Sequence, residues 1–289
     1  MDFATDLVDG ARRRDERLTR DLAAEYPLPI FIGASSAEDV DFDLLHIKQC
    51  DEVLQWLLRH GYPSMLAELR WIAFVRQVML ESTLRTIALS AKGFMPEAEG
   101  DALYDAASRA CAALPGLPIV EVGSYCGRST VWLGAVARDH GVVLHAVDHH
   151  GGSEENQSGW DWHDPEVVNA NGRIDTLPFF RRTMQVAGLT GVVRECVGDS
   201  HAIGKDWKQK VSFCFIDGGH GRDVARGDYE AWSPHVEVGG LLAVHDVFER
   251  PEDGGQAPHD EIYQPALRSG KFVEVSNCGS LRVLRRVVV

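Results

Sequence analysis

The sequence predicts an α/β fold, in which a doubly wound, mostly parallel sheet with an antiparallel edge follows an N-terminal helical extension. From residue 118 onward, short apolar runs alternate with helix-like segments, which is the pattern of a parallel sheet covered by helices. The last two apolar runs, 272–275 and 281–289, follow each other without a helix and predict the antiparallel edge. Before residue 113, apolar residues recur at helical spacing.

The extension contains three predicted helices, at 43–60, 64–90 and 98–114. Each carries a stripe of apolar side chains that must be buried against another surface. We therefore divide the chain into an extension, residues 1–112, and a ligand-binding domain, residues 113–289. We expect the extension to act as a lid over the substrate site or to form the interface of a homodimer.

The ligand-binding domain alternates between predicted strands and helices. The strands are 118–122, 142–147, 192–197, 211–216 and 240–244, and the helices are 130–140, 174–187, 201–208, 225–232 and 262–269. In such a sheet, ligands bind beyond the carboxyl ends of the strands, near the point where the strand order reverses. The residues that directly follow each strand are therefore the most informative ones for function.

The composition disfavours two kinds of partner. The net charge of −14, from 43 acidic against 29 basic residues, opposes binding to a phosphate backbone. No apolar run approaches the roughly 20 residues that span a bilayer, and the N-terminus lacks the basic and apolar regions of a signal peptide. The six cysteines form no CxxC pair. We expect a cytoplasmic protein that binds neither nucleic acid nor membrane.

A turn with two glycines, Gly123 and Gly127, joins the first predicted strand to the next helix. Glycine lets the backbone approach a ligand closely, and a helix N-terminus offers free N–H groups to a carboxylate or phosphate. A tight turn with no ligand explains the glycines as well. The pattern is not the GxGxxG dinucleotide motif, because three non-glycine residues follow Gly123.

Acidic residues follow the next two strands. Asp148 can accept hydrogen bonds from both hydroxyls of a ribose, and we favour this role over that of a solvent-exposed residue at a strand end. Asp199 can accept a hydrogen bond from an adenine amino group. A role as the N-cap of the helix predicted at 201–208 explains Asp199 equally well.

The ends of two later strands carry the residues most typical of a catalytic centre. Asp217 and His220 follow one strand, and His245 and Asp246 follow the next. Two carboxylates at neighbouring strand ends can converge on a divalent cation, whereas without one they would repel each other. We expect a functional site here rather than simple capping of the strands.

Two polar loops are candidates for binding a substrate. The loop 149–172 is long for a connection, and it contains Trp160 and Trp162, which can stack on a sugar ring, with polar residues such as Glu155 and His163. A surface loop whose tryptophans pack on the body is the alternative. Gln256, in the loop that follows the last catalytic strand, is a weaker candidate.

These motifs resemble those of the class I S-adenosylmethionine (SAM)-dependent methyltransferases, which have a Rossmann-like fold. A narrower resemblance is to metal-dependent sugar O-methyltransferases of macrolide and aminocoumarin pathways, and to actinobacterial relatives that methylate mannosides for methylmannose polysaccharide. The similarity covers about residues 90–289. The motifs that carry this narrower resemblance are DGGH, DYEAW, VEVGGLL and HD.

The resemblance implies a set of cofactor contacts. Glu121, Gly123 and Ser124 would hold the methionine end of SAM, Asp148 would bind the ribose, and Asp199 with its neighbour would face the adenine. The full set of cofactor-binding residues would be Glu121, Gly123, Ser124, Tyr125, Gly127, Ser129, Asp148, His149, Asp199 and Ser200.

The resemblance also implies a catalytic set. Asp217 and Asp246 would bind magnesium or another divalent cation, and His220 matches a position that acts as the base in one macrolide enzyme. The sequence departs from that branch at His245, where Glu or Asp usually precedes the second ligand. We include His245 as a third metal ligand. Trp160, Trp162, His163 and Gln256 would bind the acceptor.

We therefore expect a SAM- and metal-dependent O-methyltransferase that acts on a small polyhydroxylated acceptor, such as a sugar or glycoside, and forms a homodimer. A cation lowers the pKa of a sugar hydroxyl, and a histidine can take its proton. One alternative is a metal-dependent hydroxylase on the same fold, since His220, His245 and Asp246 can form the facial set that favours iron. Another is a SAM-binding module without catalytic activity.

Overall fold

The computed structural model describes residues 83–160 and 162–288, and its centre is one seven-stranded sheet in the order β3-β2-β1-β4-β5-β7-β6. Neighbouring strands from β3 to β5 pair in parallel, whereas β7 runs antiparallel to both β5 and β6. This confirms the predicted α/β fold with an antiparallel edge. The strands are β1 Ile119–Val122, β2 Leu144–Asp148, β3 Val193–Val197, β4 Val211–Ile216, β5 Val236–Val244, β6 Phe272–Cys278 and β7 Leu281–Arg286.

Helices connect and cover these strands. Gly127, with φ of 92°, and Gly141, with φ of 62°, bound the helix after β1, because both ends need left-handed backbone. The helices are α1 at 83–90, α2 Glu97–Ala113, α3 Arg128–His140, α4 Leu177–Val186, α5 Ser200–Asp206, α6 Arg222–Trp232 and α7 Gln264–Arg268, the last preceded by a π-helical turn, His259–Tyr263.

The core lies on both faces of the sheet, since β1 and β4 are buried along their whole length. Helix α2 contributes Leu103 and a row of small residues to the cluster that contains Phe213 and Phe215 of β4. It also packs closely on α3, because a Cβ at Gly100 would lie 2.5 Å from the ring of Trp132. Helix α2 is therefore packed on the sheet, and the division of the chain at residue 112 stays a prediction.

Several boundaries differ from those predicted. Strand β5 begins at Val236 rather than at 240, because Gly239 adopts φ of 87° and the register with β4 shifts there. Helix α4 begins at Leu177 rather than at 174, since Ile174 forms an antiparallel bridge with Val168. The predicted helix 43–60 and most of the helix 64–90 lie outside the described residues.

Within residues 83–160 and 162–288, no helix has both the length and the apolar character that are needed to cross a membrane.

Candidate functional site

The carboxyl ends of four parallel strands meet at one edge of the sheet. Gly123 follows β1, Asp148 ends β2, Asp217 follows β4 and His245 follows β5. The strand order reverses between β1 and β4, which is where ligands bind in doubly wound sheets. The residues singled out in the sequence therefore lie at one end of the domain.

The glycine turn is shaped first of all by the protein itself. Gly123 adopts φ of 87°, and a Cβ there would lie 2.1 Å from the main-chain oxygen of Asp217. The close approach of the end of β4 therefore requires glycine at this position, whether or not a ligand binds there. Tyr125 has φ of 45°, which is uncommon for a residue other than glycine.

One atom of this turn is suited to a ligand. The hydroxyl of Ser124 is buried and has no hydrogen-bond partner among the described residues. Buried polar groups are nearly always paired, because an unpaired one costs about 1–3 kcal/mol. The position of this hydroxyl fits the predicted contact with the methionine end of SAM, which itself stays a prediction.

Asp148 joins the glycine turn to β2. Its carboxylate accepts hydrogen bonds from the main-chain N–H groups of Ser124 at 2.9 Å, Tyr125 at 2.7 Å and His150 at 2.6 Å. The side chain of His149, by contrast, accepts from the main-chain N–H of Gly151. Asp148 therefore orders the turn, and the ribose role of this residue and the cofactor role of His149 stay predictions.

Glu121 lies beneath the turn, with no exposed surface. Its two carboxylate oxygens are 2.6 Å from the hydroxyls of Ser129 and Thr130. Burial raises the pKa of Glu121 to about 8, although the two hydroxyls oppose the shift. Glu121 is therefore a neutral acid at pH 7 that ties the strand to the first turn of α3, and the hydroxyl of Ser129 is engaged in the same contact.

The end of β3 shows the capping role that the sequence left open. Asp199 accepts a hydrogen bond from the main-chain N–H of Ala202 at 2.8 Å and is the N-cap of α5. Ser200 donates a short hydrogen bond to Asp228, a buried acid of α6 that the sequence analysis did not single out. The adenine contacts of Asp199 and Ser200 stay predictions.

The predicted metal ligands come together. Asp217, His245 and Asp246 each offer one ligand atom, and these atoms lie within 4.8 Å of one another. Nδ1 of His245 is 3.0 Å from Oδ1 of Asp217 and 3.3 Å from Oδ2 of Asp246. Asp246 has φ of 53°, a left-handed conformation that is costly for a residue other than glycine. Two carboxylates and one imidazole suit a divalent cation.

His220 contacts this cluster from one side. Its Nε2 is 3.1 Å from Oδ2 of Asp246, and its Nδ1 is 2.9 Å from Oε2 of Glu155. Burial alone would lower the pKa of His220, but the carboxylates of Asp246, Glu155 and Asp217 outweigh this effect and raise it. The sequence analysis placed Glu155 in the acceptor loop but did not pair it with His220.

Glu99 contacts the cluster from the opposite side, and sequence reasoning missed this residue. Its Oε2 is 2.5 Å from Nε2 of His245, and both side chains are buried. Burial alone would lower the pKa of His245, yet Asp217, Asp246 and Glu99 together raise it well above its usual value. In the sequence, Glu99 is only an acidic residue in the first turn of a helix, where acids are common.

Two of the four predicted acceptor residues line a cleft. Trp162 and His163 border a space of about 280 Å³ together with Lys92, Phe94 and Tyr125. The rings of Trp162 and Phe94 meet edge to face, with centroids 5.1 Å apart. Outside this cleft, Trp160 is 54% exposed, and the Gln256 amide donates to the main chain of its own loop.

Comparison with known proteins agrees with this arrangement. The family model of a methyltransferase domain matches residues 120–247. The solved structure of the O-methyltransferase NovP has a TM-score of 0.57 at 13% identity, over 73% of this chain and 99% of that one. Cofactor-bound Rv0187 from MTB has a TM-score of 0.50 at 13% identity, over 72% of this chain and 89% of that one. At such identities the two structures establish the fold.

The matched segment, 120–247, holds the glycine turn, Asp148 and the whole Asp217–His245–Asp246 cluster. The overall fold is that of the matched O-methyltransferase structure. Residues 120–247 match a methyltransferase domain, and the chain has the fold of the class I SAM-dependent methyltransferases.

Proposed function

We propose that this enzyme is an O-methyltransferase that uses a divalent cation, Mg²⁺ or a close substitute, to activate a hydroxyl of a small polyhydroxylated acceptor such as a sugar or glycoside. The observation that carries the proposal is the cluster of Asp217, His245 and Asp246, with His220 in contact at 3.1 Å from Asp246. This group of side chains lies at the same sheet edge as the glycine turn.

The donor set offers a divalent cation two carboxylates and one imidazole nitrogen. Asp217 and Asp246 share one partner, Nδ1 of His245, at 3.0 and 3.3 Å. Carboxylates that face one another in a partly buried site repel each other unless a positive charge lies between them. The set has two carboxylates and one imidazole, which favours this proposal over a hydroxylase with two histidines and one carboxylate.

The cofactor site is proposed at the ends of β1, β2 and β3. The unpartnered hydroxyl of Ser124 would meet the methionine end of SAM, and Asp148 would meet the ribose. The hydrogen bonds of Ser129 and Thr130 to the buried Glu121 would hold the turn in place when a ligand binds. The turn that would hold the cofactor is adjacent to the metal cluster, since Gly123 is packed against the main chain of Asp217.

In the proposed reaction the acceptor oxygen bonds to the methyl carbon, the carbon–sulfur bond breaks, and the hydroxyl proton moves to His220. The cation, when bound, supplies Lewis acidity that lowers the pKa of the hydroxyl. With the carboxylate of Asp246 engaged by the cation, a neutral His220 would keep its Nδ1 proton for Glu155, and the lone pair of Nε2 would be free to accept a proton. Glu155 thus holds the tautomer that can accept the proton.

The acceptor is proposed to bind in the cleft beside Trp162. Aromatic faces and polar groups together suit a polyhydroxylated ring, and Trp162, Phe94 and Tyr125 supply the aromatic part. Lys92 forms ion pairs with Asp164 and Glu166 at 2.6 Å, which anchors the loop that carries Trp162. The same loop carries Glu155 to His220, so the cleft and the catalytic cluster are linked. A cytoplasmic homodimer that binds no nucleic acid remains part of the proposal.

Transfer of a labelled methyl group from SAM to a panel of sugars and glycosides tests this function. Chelation should abolish transfer, and Mg²⁺ or Mn²⁺ should restore it. His220→Ala should lower turnover by about 10²–10⁴-fold with little change in SAM affinity, because only the base is lost.

A suitable control is His140→Ala at the far end of α3, where the ring contacts Ser108 and no residue of the cluster. Full activity after chelation would refute the metal requirement. Oxygen consumption without methyl transfer would instead support the hydroxylase.

A further inference from the structure

We propose that Glu99 is a positioning residue of the metal centre, whose carboxylate accepts the Nε2 proton of His245 and so presents the Nδ1 lone pair of that ring to the cation. The inference rests on the proposed metal-dependent function and adds a residue from α2 to it. Glu99 belongs to neither the matched segment, 120–247, nor the group of three ligands.

The ring of His245 has two distinct sides. Nδ1 faces Oδ1 of Asp217 at 3.0 Å and Oδ2 of Asp246 at 3.3 Å, whereas Nε2 faces Oε2 of Glu99 at 2.5 Å. The ring is only 4% exposed and cannot exchange these partners with solvent. Nδ1 is therefore the nitrogen that would bind a cation held by Asp217 and Asp246, and the proton of a neutral ring would then lie on Nε2.

The carboxylate of Glu99 is held in place by a second contact. Its Oε1 accepts a hydrogen bond from the main-chain N–H of Ser280 at 2.7 Å, in the turn between β6 and β7. That turn closes over the carboxylate, since a Cβ at Gly279 would lie 2.0 Å from Oε1. A buried carboxylate is costly without such partners, and here each oxygen has one. Glu99 is thus fixed from three elements: its own helix, the β6–β7 turn and the end of β5.

A carboxylate behind a ligating histidine is a common arrangement in metal sites. It fixes the tautomer and orientation of the ring and raises the basicity of the ligating nitrogen. Here Glu99 supplies the carboxylate behind His245, with Oε2 at 2.5 Å from Nε2.

Binding of Mn²⁺ to the full-length protein, measured by calorimetry, tests this inference. Glu99→Gln should weaken Mn²⁺ binding by about 10–100-fold, the usual effect of losing such a partner, and leave SAM affinity unchanged. The nitrogen coupling of bound Mn²⁺ in pulsed EPR should be present in the native protein and altered in this variant. Glu97→Gln, on the same turn of α2, is the matched control, because Glu97 pairs with Arg85 and should leave Mn²⁺ binding unchanged.

A second background separates positioning from a merely structural role. His245→Asp supplies an acidic ligand directly, and Glu99→Gln in this background should leave Mn²⁺ affinity unchanged or raise it, because two buried carboxylates no longer oppose each other. An equal loss of affinity in both backgrounds would overturn the inference. If Glu99→Gln does not fold, Glu99→Asp withdraws the carboxylate from Nε2 and should weaken Mn²⁺ binding in the same way.

The outcomes also distinguish this inference from the function on which it rests. A native protein that binds no Mn²⁺ refutes the metal requirement and the role of Glu99 together. A native protein that binds Mn²⁺ through nitrogen, with Glu99→Gln binding equally well, refutes the role of Glu99 alone.

Discussion

Glu121 and Asp148 show how neighbouring carboxyl groups acquire opposite roles from their surroundings. Asp148 is partly exposed and accepts hydrogen bonds from three main-chain N–H groups. Glu121 has no exposed surface and meets only two hydroxyls, so burial dominates and its pKa rises to about 8. Asp148 organises the turn through its hydrogen bonds to the main chain, and Glu121 supports the turn as a neutral acid.

The raised pKa of Glu121 predicts a pH dependence of stability. Between the usual value of 4.5 and about 8, the folded protein holds a proton that the unfolded chain has released. The stability of the folded protein is therefore not reduced by Glu121 at low pH, and it falls as the pH rises from 4.5 to about 8. Glu121→Gln lacks the group, so its melting temperature without SAM should gain on that of the native protein between pH 5 and 8.

In free energy of unfolding, the variant should gain up to about 1.4 kcal/mol on the native protein for each pH unit in this window. A difference in melting temperature that does not vary with pH would contradict the neutral form of Glu121.

The proximity of site residues could be predicted from sequence where the fold itself aligns strand ends. Asp217, His245 and Asp246 follow neighbouring parallel strands, so the topology alone brings them together. Glu99 and Glu155 were not assigned to their partners, because each reaches the cluster from a different part of the chain, 146 residues from His245 in the case of Glu99. No local pattern marks such long-range pairs.

At the scale of elements, the turn between β1 and α3 connects packing to the site. Gly123 fits against the main-chain oxygen of Asp217, so the β1 turn and the β4 end are built as one unit. Asp148 adds the end of β2 to this unit through hydrogen bonds to Ser124 and Tyr125. A substitution in the turn should therefore weaken the binding of the metal ion as well as the binding of the cofactor.

Gly123→Ala tests this connection against a matched control. Gly116 has φ of 83° and no atom within 4 Å of an added Cβ, whereas Gly123 has φ of 87° and the oxygen of Asp217 at 2.1 Å. Gly116→Ala should cost about 1–2 kcal/mol, for the left-handed backbone alone. Gly123→Ala should cost a further 1–3 kcal/mol, roughly, from overpacking.

Urea unfolding measures both costs, and calorimetry should show weaker SAM and Mn²⁺ binding only in Gly123→Ala. Equal losses of stability in the two variants would show that the close approach to Asp217 has no energetic weight.

Element boundaries could be predicted less well than the elements themselves. Alternating apolar runs located β1 to β4 to within a few residues, because buried parallel strands are continuously apolar. The start of β5 was wrong, since Gly239 and Gly240 look like a break in sequence but form an irregular step within a strand. The predicted start of α4 at Ile174 was wrong, because this apolar residue forms a β-bridge and lies before the helix.

At the scale of the whole molecule, helices α1 and α2 pack in the same core as the sheet. Leu84 and Ala88 of α1 are buried in the same cluster as Leu103 of α2 and Phe213 of β4. Sequence periodicity marks an apolar face but does not say which surface covers it, so the helices before residue 113 could not be assigned to the sheet in advance. The packing of α1 and α2 fixes where the chain can be shortened without loss of core.

This packing predicts different outcomes for two truncations. Removal of residues 1–81 leaves α1 and the segment 120–247 intact, so SAM affinity should be unchanged. Acceptor affinity should fall, or the homodimer should dissociate, if the extension is a lid or an interface. Removal of residues 1–88 also deletes the buried Leu84, which should cost about 2–5 kcal/mol and lower the melting temperature.

Calorimetry with SAM, kinetics with an identified acceptor and light scattering on both proteins separate these effects. A 1–81 truncation with native mass and native acceptor kinetics would refute both roles of the extension. Equal melting temperatures for the two truncations would show that α1 adds nothing to the core, although Leu84 is only 6% exposed.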